Sequence, residues 1–309
     1  MKQVFVDGSA GTTGLRILQR LADRSDIRLI SLPEEKRKDA AARREALNDA
    51  DVAILCLPDD AAREAVSLVD NPRTVLIDTS TAHRTHPDWT YGFPELPGQR
   101  GKIAASRRIA NPGCHATGFI ALIAPLVREG LLGSGAALSC FSLTGYSGGG
   151  KKMIAEYEAD GRSALLEAPR MYSLAQNHKH LPEMRLLCGL EKPPVFCPIV
   201  APYYAGMEVT VPLFSGQLRG GAESVHAVYA GYYPSGTVHF DGGDCEAGFL
   251  SAGAFAGRDD LSVTVQGNEE RLLLVARFDN LGKGASGAAI QNLNLVTGAP
   301  ETAGLNLQP

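Results

Sequence analysis

The chain has 309 residues, 44% hydrophobic and 6% aromatic, with 30 lysines and arginines against 34 aspartates and glutamates and a formal net charge of -4. That balance leaves no basic footprint for nucleic acid, and the apolar runs are too short or too interrupted to span a bilayer, so neither is expected as a partner. The opening MKQVFVDGSAG lacks the apolar segment and cleavage site of a secretory signal, and six cysteines (Cys56, Cys114, Cys140, Cys188, Cys197, Cys245) show no C-x-x-C spacing; reduced thiols, a cytoplasmic location and no metal site are expected.

From the N-terminus, short β-branched runs alternate with helical patterns: QVFVD, GLRILQRLADR, IRLISL, the charged KRKDAAARREALNDA, DVAILCLP, DAAREAVSLVD and TVLIDTS. Apolar runs with little internal alternation, separated by helices, fit a parallel sheet covered on both faces, which predicts a doubly wound, Rossmann-type α/β domain. Past about residue 115 longer extended runs follow one another (ALSCFSLTGY, PVFCPIV, MEVTVPLF, LSVTVQ, RLLLVARFDN), predicting an α+β domain with a largely antiparallel sheet. GKGASGAAIQNLNLV reads as a last helix with Ile290, Leu293 and Val296 on one side, able to return to the first domain. The expected division is 1–114 rejoined by a helix in 284–309, and 115–283.

In VFVDGSAGTTGLRIL a glycine-rich turn joins strand to helix, with Gly8, Gly11 and Gly14 spaced G-x-x-G-x-x-G. Glycine permits the tight turn and lets a pyrophosphate approach Ala10 and its neighbours through the backbone, while Ser9, Thr12 and Thr13 add hydroxyls at a helix N-terminus that favours anions. The bland alternative is a plain βα turn. After the second strand, LISLPEEKRKD offers Ser31 and then Lys36, Arg37 and Lys38 where an NAD site would usually place an acid. A hydroxyl and cations suit a 2'-phosphate and favour NADP, against the alternative of a solvated helix start to which Glu34 and Glu35 belong.

ANPGCHATGFIAL raises a choice between a core cysteine and a nucleophile. Pro112 and Gly113 signal a turn, and Phe119, Ile120, Ile123, Leu126 and Val127 share a helical face, which puts Cys114 in the first helical turn, where unpaired N–H groups and the helix dipole favour thiolate. QNHKHLPEM supplies His178 and His180 near Glu183; a cysteine nucleophile needs a proton carrier, and a carboxylate orients it. As a metal pair the H-x-H lacks an obvious third ligand, and His83 and His86 read as polar loop residues. A nicotinamide with an activated thiol points to aldehyde-level chemistry: thiolate attack on an acyl carbon, then hydride exchange.

FVDGSAGTTGL, IDTSTAHR, YGFPEL, IANPGCHATG, LTGYSGGGKKM, HKHLPE and GKGASGAAIQNLNL, in this order over nearly the whole chain, resemble the shorter-form N-acetyl-gamma-glutamyl-phosphate reductases of arginine biosynthesis, in the semialdehyde dehydrogenase group. The resemblance implies a glyceraldehyde-3-phosphate-dehydrogenase-like fold and NADPH-dependent reduction of N-acetyl-gamma-glutamyl phosphate to the semialdehyde through a Cys114 thioester. It makes His180 the acid/base, with His178 as the alternative, beside Glu183. STAHR resembles the S-x-x-F-R segment of related dehydrogenases, making Arg84 a phosphate ligand or else a surface arginine, and Ser80 a contact to cofactor or substrate. Leu57 and Pro58 join the cofactor contacts; Gln291 and Asn292 would approach the nicotinamide, unless their helix is purely structural. His115 stands where many relatives have tyrosine. A homo-oligomer, dimer or tetramer, is expected. The competing readings are an aspartate-semialdehyde-dehydrogenase-like enzyme and a non-catalytic NADP-binding regulator.

Overall fold

The computed structural model describes residues 1–242 and 245–307. The chain divides into two units: Met1–Gly113 with Ala285–Leu305, and Cys114–Gly284 with the last residues from Asn306. The break falls between Gly113 and Cys114, so the cysteine opens the second unit.

In the first unit, strands β1 (Lys2–Asp7), β2 (Ile27–Ile30), β3 (Val52–Leu55), β4 (Val75–Asp78), β5 (Thr90–Tyr91) and β6 (Arg108–Ala110) form a sheet of order β2-β1-β3-β4-β6-β5, with every pairing parallel. The helices are α1 (Thr12–Leu21), α2 (Ala40–Asp49), α3 (Asp59–Ser67) and α4 (Gln99–Ala105). Successive strand residues point to opposite faces, and both faces are covered. Val4, Val6, Val52, Ile54, Ile77 and Ile109 pack with Ile17, Leu21, Ile103 and the returning Ala289, Ile290 and Leu293. Phe5, Ala53, Leu55 and Leu76 pack with Ala46, Leu47 and Ala65 on the other side. Two-sided burial is why these strands read as unbroken apolar runs. The charged segment expected to be helical from residue 36 instead makes a 3-10 turn at Glu34–Lys36, and α2 begins only after Asp39, whose side chain accepts from Ala42 N–H. A side-chain oxygen at that position satisfies an orphan first-turn donor and fixes where the helix starts.

The second unit contains α5 (Cys114–Arg128), β7 (Ser139–Gly145), α6 (Gly150–Glu158), β8 (Arg170–Met171), α7 (Leu181–Leu187), β9 (Val195–Ala201), β10 (Met207–Phe214), α8 (Ala222–Tyr232), β11 (Val238–Phe240), β12 (Leu261–Gly267) and β13 (Arg271–Phe278). Sheet order is β11-β12-β13-β10-β7-β9-β8. Pairing is antiparallel except for β11 with β12 and β7 with β9.

Helix α5 was expected to bury one face, yet His115 through Leu126 are all buried. Gly118 permits this on the sheet side, since a Cβ there would lie 2.5 Å from Val209 of β10 and 2.9 Å from Phe278 of β13. On another side two tyrosines approach, Tyr229 from α8 and Tyr233 from just past its end. Pro125 has no N–H to give to the carbonyl four residues back, and that carbonyl, Ala121 O, accepts instead from the Tyr233 hydroxyl at 2.9 Å. Tyr229 Oη donates to Leu122 O at 2.6 Å. The remaining helix, α9 (Gly287–Thr297), belongs to the first unit; a π turn, Gly282–Ser286, precedes it, and it ends at left-handed Gly298 rather than running toward the C-terminus. Among the described residues no helix is long and apolar enough to cross a membrane.

Candidate active site

In the first unit the glycine loop is built by what its glycines lack. Gly8 sits at φ +81°, and a Cβ there would lie 2.2 Å from the carbonyl oxygen of Cys56. At Gly14 a Cβ would meet Gly8 O at 2.7 Å and Ser9 Cα at 2.8 Å. Gly11 donates its N–H to Gly8 O at 3.0 Å and stands at the N-cap of α1 without a capping side chain, ahead of Thr12, Thr13 and Gly14. The turn is therefore tight, backbone-walled and aimed by a helix N-terminus, the arrangement a pyrophosphate requires.

Beside it opens a cleft of about 700 Å³ whose walls include Gly8, Ser9, Ala10, Ser31, Arg37 and Leu57. The loop and the proposed 2'-phosphate residues thus share one cavity, on a scale that suits part of a dinucleotide. Lys38, Glu34 and Glu35 also line it, so the cations there are balanced by acids. Pro58 stands at the N-cap of α3.

Sequence reasoning missed Arg43, another wall of this cleft. Its Nε and a terminal nitrogen donate to Asp7 Oδ2 at 3.1 and 3.0 Å, and its other terminal nitrogen reaches Glu64 at 3.3 Å. Burial pushes the Asp7 carboxyl up, a shift that the Arg43 guanidinium opposes. The signal was present: Arg43, Ala46 and Leu47 are the buried residues of α2, at the i, i+3, i+4 spacing of one helical face.

The loop after β4 is held by Asp78, whose carboxyl accepts from Ser80 N–H at 2.9 Å and Ser80 Oγ at 2.8 Å and lies 2.6 Å from His83 Nδ1. His83, in this loop, is buried and stacks on Trp89 with ring centroids 4.1 Å apart; His86 is exposed. Ser80 Oγ also accepts from Ala82 N–H at 3.1 Å. Arg84 is buried rather than a surface arginine; it donates to Asn111 O at 3.0 Å and Thr79 O at 2.9 Å, tying this loop to the Asn-Pro-Gly turn.

On α9, the Gln291 amide donates to Glu95 and Glu301, both at 2.8 Å. Asn292 donates to Gly92 O and to Asn111 Oδ1, both at 3.0 Å, and Asn111 donates in turn to Ala285 O at 3.0 Å. Both α9 side chains are fully buried in the first unit, and Asn292 fixes the asparagine of the Asn-Pro-Gly turn.

In the second unit Cys114 is the first residue of α5 and is half-buried. Gly284 packs against it: a Cβ at Gly284 would lie 2.9 Å from the Cβ of Cys114. His180 N-caps α7 and is buried, with Nε2 4.0 Å from Oε1 of buried Glu183 one turn on. His180 N–H donates to His178 Nδ1 at 3.1 Å, so that neutral His178 carries its proton on Nε2. The rings of His178 and His180 are 4.7 Å apart, and they lie 5.4 and 5.5 Å from the ring of His115, the residue after the cysteine.

His115 itself was not expected in the site. Its Nδ1 lies 2.7 Å from Ser142 Oγ on β7, and its Nε2 lies 2.7 Å from the Tyr172 hydroxyl just past β8. Burial, helped by neighbouring His178, pushes His115 down to about 3 and keeps the ring neutral. Burial first, and the charge of a Cys114 thiolate second, raise Tyr172 above the usual phenol range. The unit thus gathers a thiol at a helix start, two candidate proton carriers, a carboxyl and a phenol, a set suited to covalent acyl chemistry. Among the described residues no group of three or more histidines, cysteines or acids is arranged to hold a metal.

Comparison with known proteins agrees with this chemistry. Residues 33–104 match the family described as semialdehyde dehydrogenase, NAD binding domain, and residues 114–280 match semialdehyde dehydrogenase, dimerisation domain. N-acetyl-gamma-glutamyl-phosphate reductase 2 of Nostoc sp. is 46% identical, over 98% of this chain and 99% of its own length. The Sinorhizobium medicae protein named N-acetyl-gamma-glutamyl-phosphate reductase is also 46% identical, over 96% and 99%. Among solved structures, aspartate semialdehyde dehydrogenase II of Vibrio cholerae, complexed with ASA, superposes with a TM-score of 0.72 at 17% identity over 96% of this chain and 98% of that one. Aspartate semialdehyde dehydrogenase of Candida albicans, with NADP, gives 0.69 at 16% over 96% and 98%. These two likenesses establish the fold, and the near-full-length identity places this chain in the N-acetyl-gamma-glutamyl-phosphate reductase family of semialdehyde dehydrogenases.

Proposed function

We propose that the protein reduces N-acetyl-gamma-glutamyl phosphate to N-acetylglutamate semialdehyde with NADPH, releasing phosphate, as a cytoplasmic step of arginine biosynthesis. The observation that carries the reading is Cys114 at the start of α5, next in the chain to His115, whose ring lies 5.4 and 5.5 Å from those of His178 and His180, with Glu183 4.0 Å from His180 Nε2. Met1–Gly113 with the returning Ala285–Leu305 serve as the nucleotide-binding domain, and Cys114–Gly284 as the catalytic domain.

The thiolate of Cys114 attacks the acyl carbon, a C–S bond forms, and the bond to the phosphate oxygen breaks with its electron pair leaving on phosphate. When bound, NADPH supplies hydride from its nicotinamide. As the thioester carbon accepts the hydride, the C–S bond breaks and its pair returns to Cys114 sulfur. His180 takes the thiol proton before attack, with His178 as its alternate, and Glu183 orients the ring and offsets its charge. Buried Arg84, anchored on two carbonyls, presents a guanidinium suited to the leaving phosphate.

The cavity supports this cofactor: backbone-walled Gly8 to Gly14 suit the pyrophosphate, Leu57 lines the same cleft with Pro58 next in the chain, and Ser31 with Arg37 suits a 2'-phosphate. The buried amides of Gln291 and Asn292 support this domain from α9. A homo-oligomer is supported by apolar side chains left exposed on one chain's sheet strands: Phe141, Met171, Val195, Phe214 and Leu273.

A substrate screen with the purified protein tests the assignment. Run in the oxidising direction with NADP and phosphate, it consumes N-acetylglutamate semialdehyde. Turnover of aspartate semialdehyde alone would assign a different substrate, and NADP binding without turnover of either would mark a non-catalytic regulator.

A further inference from the structure

Among the described residues, the fully buried Ser142 hydroxyl has His115 Nδ1 as its hydrogen-bond partner, so its proton points at Nδ1. His115 is neutral, and a neutral imidazole carries one N–H. With Nδ1 accepting, the proton sits on Nε2, which therefore donates to the Tyr172 oxygen 2.7 Å away. Tyr172 accepts from His115 and keeps its own O–H for a third group. Serine, histidine and tyrosine come from β7, the first turn of α5 and the residue after β8, so the sheet and the helix of the thiol jointly fix the phenol.

We propose that Tyr172 is a further catalytic residue, a neutral hydrogen-bond donor to the carbonyl oxygen that gains charge at the Cys114-bound carbon, and that His115, anchored by Ser142, is its positioning residue. The inference rests on the thioester chemistry proposed for Cys114. On attack, the sulfur lone pair forms the C–S bond and the carbonyl π pair moves to oxygen, where the Tyr172 O–H donates without giving up its proton. On collapse the pair re-forms the C=O bond as phosphate leaves. A neutral donor fits because it stabilises the transient oxyanion without holding a charge in a buried pocket when the site is at rest.

The test is a double-mutant cycle measured with N-acetyl-gamma-glutamyl phosphate and NADPH. Wild-type turnover comes first, and its absence would reject the proposed function instead of this inference. Tyr172→Phe lowers kcat about 100-fold, the usual cost of one oxyanion donor, with KM and NADPH affinity each within about threefold of wild type. His115→Phe costs nearly as much alone and almost nothing more in the Tyr172→Phe background, because groups acting through one contact are not additive. Ser142→Ala, a mild change if His115→Phe folds poorly, gives a smaller loss that likewise vanishes in the Tyr172→Phe background. Single-turnover phosphate release slows with kcat. Tyr172→Phe within about threefold of wild type in kcat would overturn the donor role. Losses at His115 or Ser142 that multiply with that of Tyr172→Phe would reduce those residues to packing.

Discussion

The glycine-loop cleft of the first unit and the thiol cluster of the second are built on opposite principles. The cleft depends on side chains that are absent: Gly8 and Gly14 leave space that a methyl group would take from the backbone. The thiol cluster depends on side chains brought together from distant places, with Cys114, Ser142 and the run from Tyr172 to Glu183 drawn from three stretches of a 171-residue segment, Cys114–Gly284. A site made of backbone fails through steric overlap and loses binding, whereas one made of side-chain chemistry loses rate while its ligands still bind.

That contrast is broken most directly at Cys114. Cys114→Ala should cut turnover by about 10⁵-fold or more, as expected when an obligatory covalent group is removed, with NADPH affinity unchanged in fluorescence titration. Turnover near wild type would end the covalent mechanism. Next comes Gly8→Ala, which forces a side chain into a left-handed position against Cys56 O; we expect about 100-fold weaker NADPH binding, with Cys114 alkylated by iodoacetamide at its usual rate. Equal losses in both readouts would mean the two sites do not fail separately. Arg37→Ala is expected to raise the KM for NADPH about tenfold while leaving NADH within about twofold, the signature of a charge-assisted contact to the 2'-phosphate. A parallel loss for both nucleotides would remove Arg37 from that role.

The smallest effect concerns stability. The folded-state pKa of His115 lies well below its unfolded value, so the unfolded chain binds the extra proton first. Its contribution is fully present above the unfolded pKa of about 6.5 and is lost as pH falls toward 3. Urea unfolding between pH 7 and pH 4 should show a loss approaching about 1.4 kcal/mol per pH unit from this residue, and His115→Phe should make the curve shallower. Tyr172, His178 and His180 face the same ring, so the slope is to be compared between variants. An unchanged slope would mean that His115 is not held neutral by burial.

The two regions also differ in how far the sequence reveals them. The parallel sheet was legible because two-sided burial writes itself as uninterrupted Val4–Val6, Val52–Leu55 and Val75–Ile77 runs, and the glycine loop because spacing and placement coincide. Cys114, His178 and Glu183 were legible one by one from local chemistry. Ser142 and Tyr172 were not, since a lone hydroxyl in a strand carries no sign of the ring it will meet. The burial of His83 was not legible for a similar reason: its partners Asp78 and Trp89 lie five and six residues away, in a loop without periodicity. α5 concealed its all-round burial because Gly118 and two tyrosines, Tyr229 in α8 and Tyr233 just past it, more than a hundred residues on, make it possible.

The return of Ala285–Leu305 to the first unit sets an order in time. Ala289, Ile290 and Leu293 complete the core against which Val4, Ile54 and Ile77 pack, and they leave the ribosome after every residue of the second unit up to Gly284. The parallel sheet made first is thus completed last, and until then one of its faces is covered only by Ile17, Leu21 and Ile103. A chain stopped at residue 284 would keep Cys114 and lack the α9 part of the lining of the N-terminal sheet, so late nonsense changes should expose their damage at the opposite end of the sequence.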